Sequence, residues 1–340
     1  MRHLCQSSAA LLKCGWTTLR VAGDADVYFA ALDLRRAIDE GIHMGPRMTG
    51  AGHYLSITGG GGDINTIAPE HAGCVVADGK VVDGPDEMRK AVREEIKYGS
   101  DWIKLLVTGA YMSMSTSSAD APMHVHFSPQ ELHVAVEETR RLGKHVMAHA
   151  HSAEGIKQAV RAGVRSIEHG SFIDDEGIEL MLQHGTWLVP TQFIGVYYST
   201  MASSASAAPL SKMLQLQKET DEQSIACLRK AVAAGVKIAC GSDFVGWDPA
   251  LNVRELECLV AQLGMTPVEA LRAATSSAAE LLGWDKRVGS VACGLLADLI
   301  VVDGDPGLDI ACMRQVRAVV LGGAVVHSTL PAMQPTTKKM

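Results

Sequence analysis

Short apolar runs rich in β-branched residues alternate with amphipathic segments along most of this 340-residue chain. The runs have the length and composition of buried strands and lie at residues 17–22, 47–57, 102–108, 145–150, 166–169, 186–191 and 236–241. Strands that alternate with helices in this way form βαβ units, in which the strands are parallel. The alternation therefore predicts an α/β fold, a TIM-like (β/α)8 barrel that is missing its first strand.

Two of the helical segments carry strong start signals. Ser128 is followed by a proline and, three residues on, by Glu131, which is the pattern of a capping box. Thr266 and Glu269 repeat the pattern further along the chain. These signals predict one helix over residues 128–142 and another over residues 266–282.

The pattern changes after residue 285, where short strands separated by Gly and Asp-Gly turns are predicted at residues 289–293, 297–302 and 316–326. These strands predict a partial C-terminal β-sandwich. The predicted domains are the barrel, incomplete at its N-terminus, at residues 1–285, the sandwich remnant at 286–330 and a disordered tail at 331–340. The small, polar segment 199–211 is predicted to be a mobile loop, either a lid over the site or a disordered insertion.

Composition argues against several classes of protein. The net charge of −7 is spread without long runs of one sign, which disfavours a nucleic-acid or anionic-membrane surface. No apolar run approaches the length of a transmembrane helix. The eight cysteines contain no Cys-x-x-Cys pair, which is typical of reduced thiols in a cytoplasmic protein. We therefore expect a cytoplasmic protein that acts on a small-molecule substrate.

Polar side chains that can bind metal recur near the ends of the predicted strands. They are Lys104, His149, His169 and Asp243, each of which follows or ends its own apolar run. The carboxyl ends of barrel strands meet on one face, so residues far apart in sequence can converge there. One such residue is weak evidence, whereas four in this arrangement predict a metal or catalytic site.

The order Lys, His, His, Asp and its surrounding motifs resemble the amidohydrolase superfamily, in particular its prolidase-like and imidazolonepropionase-like metal-dependent hydrolases. The motifs are TTLR (17–20), GPR (45–47), IKLLVTG (103–109), HAHSAEGIKQAVRAGVRSIEHGSFID (149–174), CGSD (240–243) and GSVACGLLADLIVVDGDP (289–306). The resemblance covers about residues 10–327, which is nearly the whole chain.

The resemblance implies a role for each matching residue. Lys104 would be carboxylated and bridge two divalent metals, and His149 and His169 would bind one of them. Asp243 would bind the other metal and transfer the proton to the departing amine. A metal-bound hydroxide would attack the amide carbonyl. Zinc is the expected metal, as one or two ions, with manganese or iron as alternatives.

Four further residues are candidates for substrate binding. The resemblance places His151, two residues beyond His149 on the same strand face, against the substrate carbonyl or carboxylate, where it would be catalytic. The alternative is a hydrogen bond that supports a ligand. Tyr111, Tyr197 and Tyr198 are predicted substrate contacts, with packing against the core as the alternative.

The sequence also departs from the superfamily pattern. A first strand with His-x-His, which supplies two further metal ligands, is missing, and His124-Val-His126 lies too late in the chain to correspond to it. Lys104, His149 and His169 still make three ligands for one metal, the minimum of a catalytic zinc site. The chain is thus expected to be either an incomplete version of a binuclear enzyme or a degenerate, non-catalytic member.

The function predicted from these observations is hydrolysis of a C–N (amide) bond in a dipeptide, an N-acyl amino acid or a cyclic amide. A deaminase or a ring-opening hydrolase on the same scaffold is the first alternative, because substrate specificity lies in the barrel loops. A truncated fragment without activity is the second. Members of the superfamily are commonly homo-oligomers, so a homo-oligomer is possible, and no interface is recognisable in the sequence.

Overall fold

The fold is seen in a computed structural model that describes residues 2–23, 29–63, 79–111, 121–202, 208–243, 248–331 and 333. The chain divides into two compact units. One unit comprises Val21–Leu32 and Thr49–Lys237, and the other comprises Met1–Arg20, Asp33–Met48 and Ile238–Met340. Within the described residues, no helix is both long enough and apolar enough to cross a membrane.

Helices and strands alternate through most of the described chain. In chain order they are α1 Arg2–Lys13, β1 Thr18–Val21, α2 Ala30–Asp39, β2 Arg47–Gly50, β3 Tyr54–Ser56, β4 Lys80–Val81, α3 Pro85–Lys97, β5 Trp102–Leu106, α4 Pro129–Arg141, β6 His145–Ala150, α5 Ala153–Ala162, β7 Ser166–His169, α6 Asp175–His184, β8 Trp187–Val189, α7 Gln192–Ala202, α8 Ala208–Ala233, α9 Arg254–Ala261, α10 Pro267–Ala274, α11 Ser276–Leu282, β9 Leu299–Val302, β10 Val316–Leu321 and β11 Ala324–Ser328.

A six-stranded sheet in the order β4-β3-β5-β6-β7-β8 organises the larger unit. Every neighbouring pair in it is parallel. Helices connect β5 to β6, β6 to β7 and β7 to β8, as parallel strands require. Leu105, Met147, Ile167 and Leu188 are fully buried, so the central strands are covered on the core side by apolar contacts.

The strand register brings the predicted polar residues to one edge of this sheet. Leu106 pairs with His149, and Ala150 pairs with His169. Lys104 lies deeper in β5, opposite Met147 on one side and Tyr54 on the other. The two histidines therefore stand at the carboxyl ends of adjacent strands.

Both capping boxes predicted from the sequence are confirmed. The Ser128 hydroxyl accepts a hydrogen bond from the Glu131 amide, and the Glu131 carboxylate accepts one from the Ser128 amide, at the start of α4. Thr266 and Glu269 make the same pair at the start of α10. The second predicted helix is interrupted at Thr275, whose φ of −128° and ψ of −95° separate α10 from α11.

The prediction of one strand over residues 47–57 is wrong, because the segment breaks into β2 and β3. Gly50 has a φ of +155°, which only glycine adopts easily. Beyond it, side chains bind the backbone amides: the Ser100 hydroxyl accepts from Gly52 at 2.9 Å and the buried Glu95 carboxylate accepts from His53 at 3.0 Å. These amides are therefore not available to a strand partner.

Two other predictions of local structure are corrected. Residues 236–241 do not form the predicted strand. The segment is joined to β8 by a hydrogen bond from the Leu188 amide to the Lys237 carbonyl at 2.8 Å. The predicted loop 199–211 is helical where it is described, because α7 continues to Ala202 and α8 begins at Ala208. Residues 203–207 of that segment lie outside the described residues. Alanine favours helix, and a proline is tolerated in the first turn of α8.

The C-terminal strands form an antiparallel sheet in the order β11-β10-β9. The predicted strand at 316–326 is a hairpin, with Gly322 and Gly323 in its turn at positive φ. No strand is present at 289–293. Most of the predicted tail, residues 332 and 334–340, lies outside the described residues.

Gly50 gives a direct test of the break between β2 and β3. A Cβ at this position would stand 2.4 Å from the Val21 carbonyl oxygen, whereas a Cβ on Gly84, also at positive φ, meets no atom within 4 Å. We expect Gly84→Ala to cost about 1–2 kcal/mol of unfolding free energy through backbone strain alone. Gly50→Ala should cost at least about 3 kcal/mol, because backbone must also move. Urea denaturation of the two variants measures the difference, and equal losses would contradict the clash.

Candidate functional site

Three buried imidazoles meet at the carboxyl ends of β6 and β7. His149 lies in β6, His151 follows this strand, and His169 ends β7. Their ring centroids are 4.6 Å (149 to 151), 4.6 Å (149 to 169) and 4.8 Å (151 to 169) apart. One nitrogen of each ring lies within 4.8 Å of the corresponding nitrogen of the other two. This histidine cluster has the chemistry of a site for a transition-metal ion.

A neighbouring oxygen holds one nitrogen of each imidazole. His149 Nε2 lies 3.1 Å from the Gly109 carbonyl oxygen, to which it donates. His151 Nδ1 is 2.8 Å from Ser171 Oγ, and His169 Nδ1 is 2.6 Å from Thr191 Oγ1. The nitrogens left for a ligand are Nδ1 of His149 and Nε2 of the other two. Partners of this kind fix the ring orientation of metal-binding histidines.

The backbone is strained at His169 and at its hydrogen-bond partner Thr191. His169 has a φ of 71° and its partner Thr191 a φ of 51°, both in the left-handed region that residues other than glycine rarely adopt. Such conformations cost about 1–3 kcal/mol each and persist where the surrounding structure enforces them. Strained backbone of this kind is common at active sites and ligand-binding sites.

Burial and the nearby Lys104 charge keep the cluster neutral. Burial is the largest cause that lowers the pKa of all three histidines, and the Lys104 ammonium lowers each further. The pKa of His151 falls to about 3. Lys104 itself is 5% exposed. Because metals bind the neutral imidazole, these histidines need lose no proton to accept an ion near neutral pH.

Among the tyrosines predicted to contact substrate, Tyr111 lies at the cluster. Its ring packs edge-on against His151 with the centroids 4.9 Å apart, and its hydroxyl lies 3.0 Å from Thr220 Oγ1 of α8. Burial raises its pKa. Tyr197 and Tyr198 lie in α7, where the described ring contacts join Tyr197 to Phe193 and to Tyr198. Their role in substrate binding stays a prediction.

Asp243 lies in the other unit, and its part in the site also stays a prediction. Its φ of 48° is left-handed, like that of His169.

The His124-Val-His126 segment runs beside the end of β5: Val125 forms an antiparallel bridge with Thr108, and the His126 amide donates to the Val107 carbonyl at 2.8 Å. The charge of His126 contributes to the lowered pKa of His149.

Sequence reasoning missed the hydroxyl groups that support the histidines. Ser171 and Thr191 hold two of the rings, and Thr108 Oγ1 accepts a hydrogen bond from the His151 amide at 3.0 Å. The available signal was position, because Ser171 comes two residues after His169, and Thr108 and Thr191 each lie two residues beyond a strand end. Serine and threonine are too common after strands for this spacing to identify them.

The lowered pKa values predict a pH-dependent stability of the metal-free protein. Below a pH of about 6.5 these histidines bind protons in the unfolded chain but stay neutral in the folded cluster. The unfolding free energy therefore falls as the pH drops from there towards the pKa values of the folded state. We expect the unfolding free energy to fall by about 2 kcal/mol per neutral histidine between pH 7 and pH 5. Urea denaturation of chelator-treated protein at the two pH values measures the loss.

The matched variants are His151→Gln and His184→Gln. The first removes a buried group whose pKa is lowered, so it should make the stability less dependent on pH. The second removes an exposed histidine at the end of α6 and should leave the dependence unchanged. If the stability of His151→Gln depended on pH as strongly as that of the wild type, the lowered pKa of His151 would be contradicted.

The sequence matches the Amidohydrolase family over residues 4–326. Ochratoxinase from Aspergillus niger is 32% identical over 335 residues, an alignment that covers 93% of this chain and 67% of that protein. Imidazolonepropionase from Aeromonas hydrophila is 30% identical over 185 residues, which cover 52% of this chain and 39% of that protein.

Solved structures show the same relationship. A Xaa-Pro dipeptidase with methionine bound in its active site has a TM-score of 0.84 and 35% identity, with 94% of this chain and 77% of that chain covered. The crystal structure of A. niger ochratoxinase has a TM-score of 0.82 and 31% identity, with 96% and 75% covered.

These similarities agree with the observed arrangement of strands and helices. They confirm the resemblance found in the sequence motifs and the predicted α/β barrel class with a C-terminal antiparallel sheet. The histidine cluster lies in the part of the chain that the family match covers. The chain belongs to the amidohydrolase family, and it is an enzyme that hydrolyses carbon–nitrogen bonds.

Proposed function

We propose that this protein is a metal-dependent hydrolase of amide bonds in small substrates, of the size of a dipeptide, an N-acyl amino acid or a cyclic amide. The observation that carries the proposal is the cluster of three buried, neutral imidazoles with one nitrogen of each within 4.8 Å of the others. The relatives named ochratoxinase and Xaa-Pro dipeptidase support an amide substrate.

The donor set suits a divalent metal, with zinc as the proposed ion. A catalytic zinc site usually has three protein ligands and a fourth position that is open to water or substrate. His149 and His169 would hold the ion, and we propose His151 as the third ligand, in place of the substrate contact expected from the sequence. The bound ion would polarise the amide carbonyl and activate water.

The remaining residues have roles in binding and proton transfer. The Tyr111 ring packs edge-on against His151 and would pack against the substrate. The Asp243 carboxylate would take the proton of the attacking water and deliver it to the amine nitrogen as the C–N bond breaks. A carboxylated Lys104 would supply a ligand for a second ion.

Metal content tests the ligand assignment. We expect the purified chain to hold about one zinc ion, because the three imidazoles form one complete site. His149→Ala and His169→Ala should lose it, and His184→Ala, which removes an exposed histidine, should retain it. His151→Asn should also lose the ion, because His151 is the proposed third ligand. Elemental analysis after gel filtration measures this, and a metal-free wild-type protein would reject the proposal.

A second measurement distinguishes a one-metal from a two-metal site. Close to two ions in the wild-type chain and one in Lys104→Ala would show that Lys104 holds a second ion. One ion in both proteins would show that the imidazoles suffice. The variant Lys144→Ala is a control, since Lys144 pairs with Asp101 on the surface.

The proposed proton transfer predicts the effect of Asp243→Asn. Asparagine tolerates left-handed backbone, so the variant should fold at the φ of 48° found here. Loss of the titrating carboxylate should lower kcat for hydrolysis of a dipeptide by about 10²–10⁴-fold. Asp285→Asn, which changes an exposed aspartate, should leave kcat unchanged. A kcat within threefold of wild type in Asp243→Asn would contradict the role.

A further inference from the structure

Helix α8 lies along the histidine cluster. Thr220 of this helix contacts the Tyr111 hydroxyl at 3.0 Å, and Tyr111 packs on His151. Two turns further on, the Leu228 side chain lies 3.8 Å from the point where a Cβ would stand on Gly170, the residue after His169. These two contacts place the segment between them along the cluster.

Asp221 belongs to the face of α8 that these contacts define. Thr220, Asp221 and Ser224 are half-buried, and Leu228 is fully buried, at the spacing of one helix face. Glu219 and Glu222 are exposed on the opposite side of the helix. Asp221 thus differs from its acidic neighbours in facing inwards, one residue from the contact with Tyr111.

The Asp221 carboxylate is partly desolvated, and no cation among the described residues pairs with it. Burial raises its pKa, and its charge contributes to the raised pKa of Tyr111. Within the described part of the chain, no lysine, arginine or histidine forms a salt bridge with it. A half-buried carboxylate one residue from the contact with Tyr111, which packs on His151, attracts a positively charged ligand group and repels a carboxylate.

We propose that Asp221 selects substrates that carry a free, positively charged amino group on the acyl side of the scissile amide. The inference rests on the proposed function and narrows its substrate class to dipeptides with a free N-terminus over N-acylated amino acids. In a dipeptide the ammonium group is one carbon away from the scissile carbonyl. An N-acetyl group removes this charge and leaves Asp221 without a partner.

The experiment compares binding of two forms of one inhibitor, so it does not depend on turnover. The probes are a phosphinic pseudo-dipeptide of alanylproline with a free amine and its N-acetyl derivative, titrated calorimetrically into zinc-loaded protein. The wild type should prefer the free amine by about 10- to 100-fold, the range of a charge-assisted hydrogen bond. Asp221→Asn should lose this preference. Glu222→Gln, which removes an exposed charge from the next residue, should keep it.

A preference that survives in Asp221→Asn, or a wild type that binds neither form, would overturn the inference. Kinetics then separate the inference from the proposed function. Binding with the expected preference but no hydrolysis of dipeptides would reject the proposed function and leave the role of Asp221 intact. The opposite result is hydrolysis of dipeptides in which the ratio of kcat/KM for the free dipeptide to kcat/KM for its N-acetyl form is the same in wild type and Asp221→Asn. That result would support the proposed function and reject the role of Asp221.

Discussion

The parallel pairing of β5, β6 and β7 positions His149 and His169 of the histidine cluster. Leu106 lies opposite His149, and Ala150 lies opposite His169, so the two histidines lie near the carboxyl ends of adjacent strands, one residue apart in register. A slip of one residue would turn His149 to the other face of the sheet. The buried apolar residues between the polar ones make such a slip costly, because they would be moved from the core. Packing of the sheet therefore enforces the geometry of the site.

The same burial gives the site its chemistry. Imidazoles removed from water beside the Lys104 ammonium remain neutral, which is the form that binds a metal ion. A metal-free cluster is correspondingly sensitive to acid, since each proton added brings an unpaired charge into a desolvated place. An ion bound by the three nitrogens would stabilise the fold by mass action. Stability and metal content are thus linked through the histidine cluster.

Local signals predicted those parts of the molecule that local chemistry determines. The capping boxes at Ser128 and Thr266 are complete within four residues, and β5 and β6 are mostly apolar. The break between β2 and β3 depends on Glu95 and Ser100, more than 40 residues away from the amides that they bind. The partners of His151 and His169 are hydroxyls brought close by the fold. Contacts of this kind have no periodicity, and sequence patterns do not reveal them.

Substrate selection depends on a different part of the chain from metal binding. His149 and His169 stand on the sheet, where register fixes them, whereas Asp221 and Thr220 stand on α8, which begins 19 residues after the end of β8. A helix on the carboxyl side of the strands can change its inward residues without disturbing the register of the sheet. One exchanged side chain, such as Asp221→Asn, would then alter which amides bind while the histidine cluster kept its geometry. The two motifs at residues 103–109 and 149–174 lie on the sheet and its connections, and for this reason they predict the reaction better than the substrate.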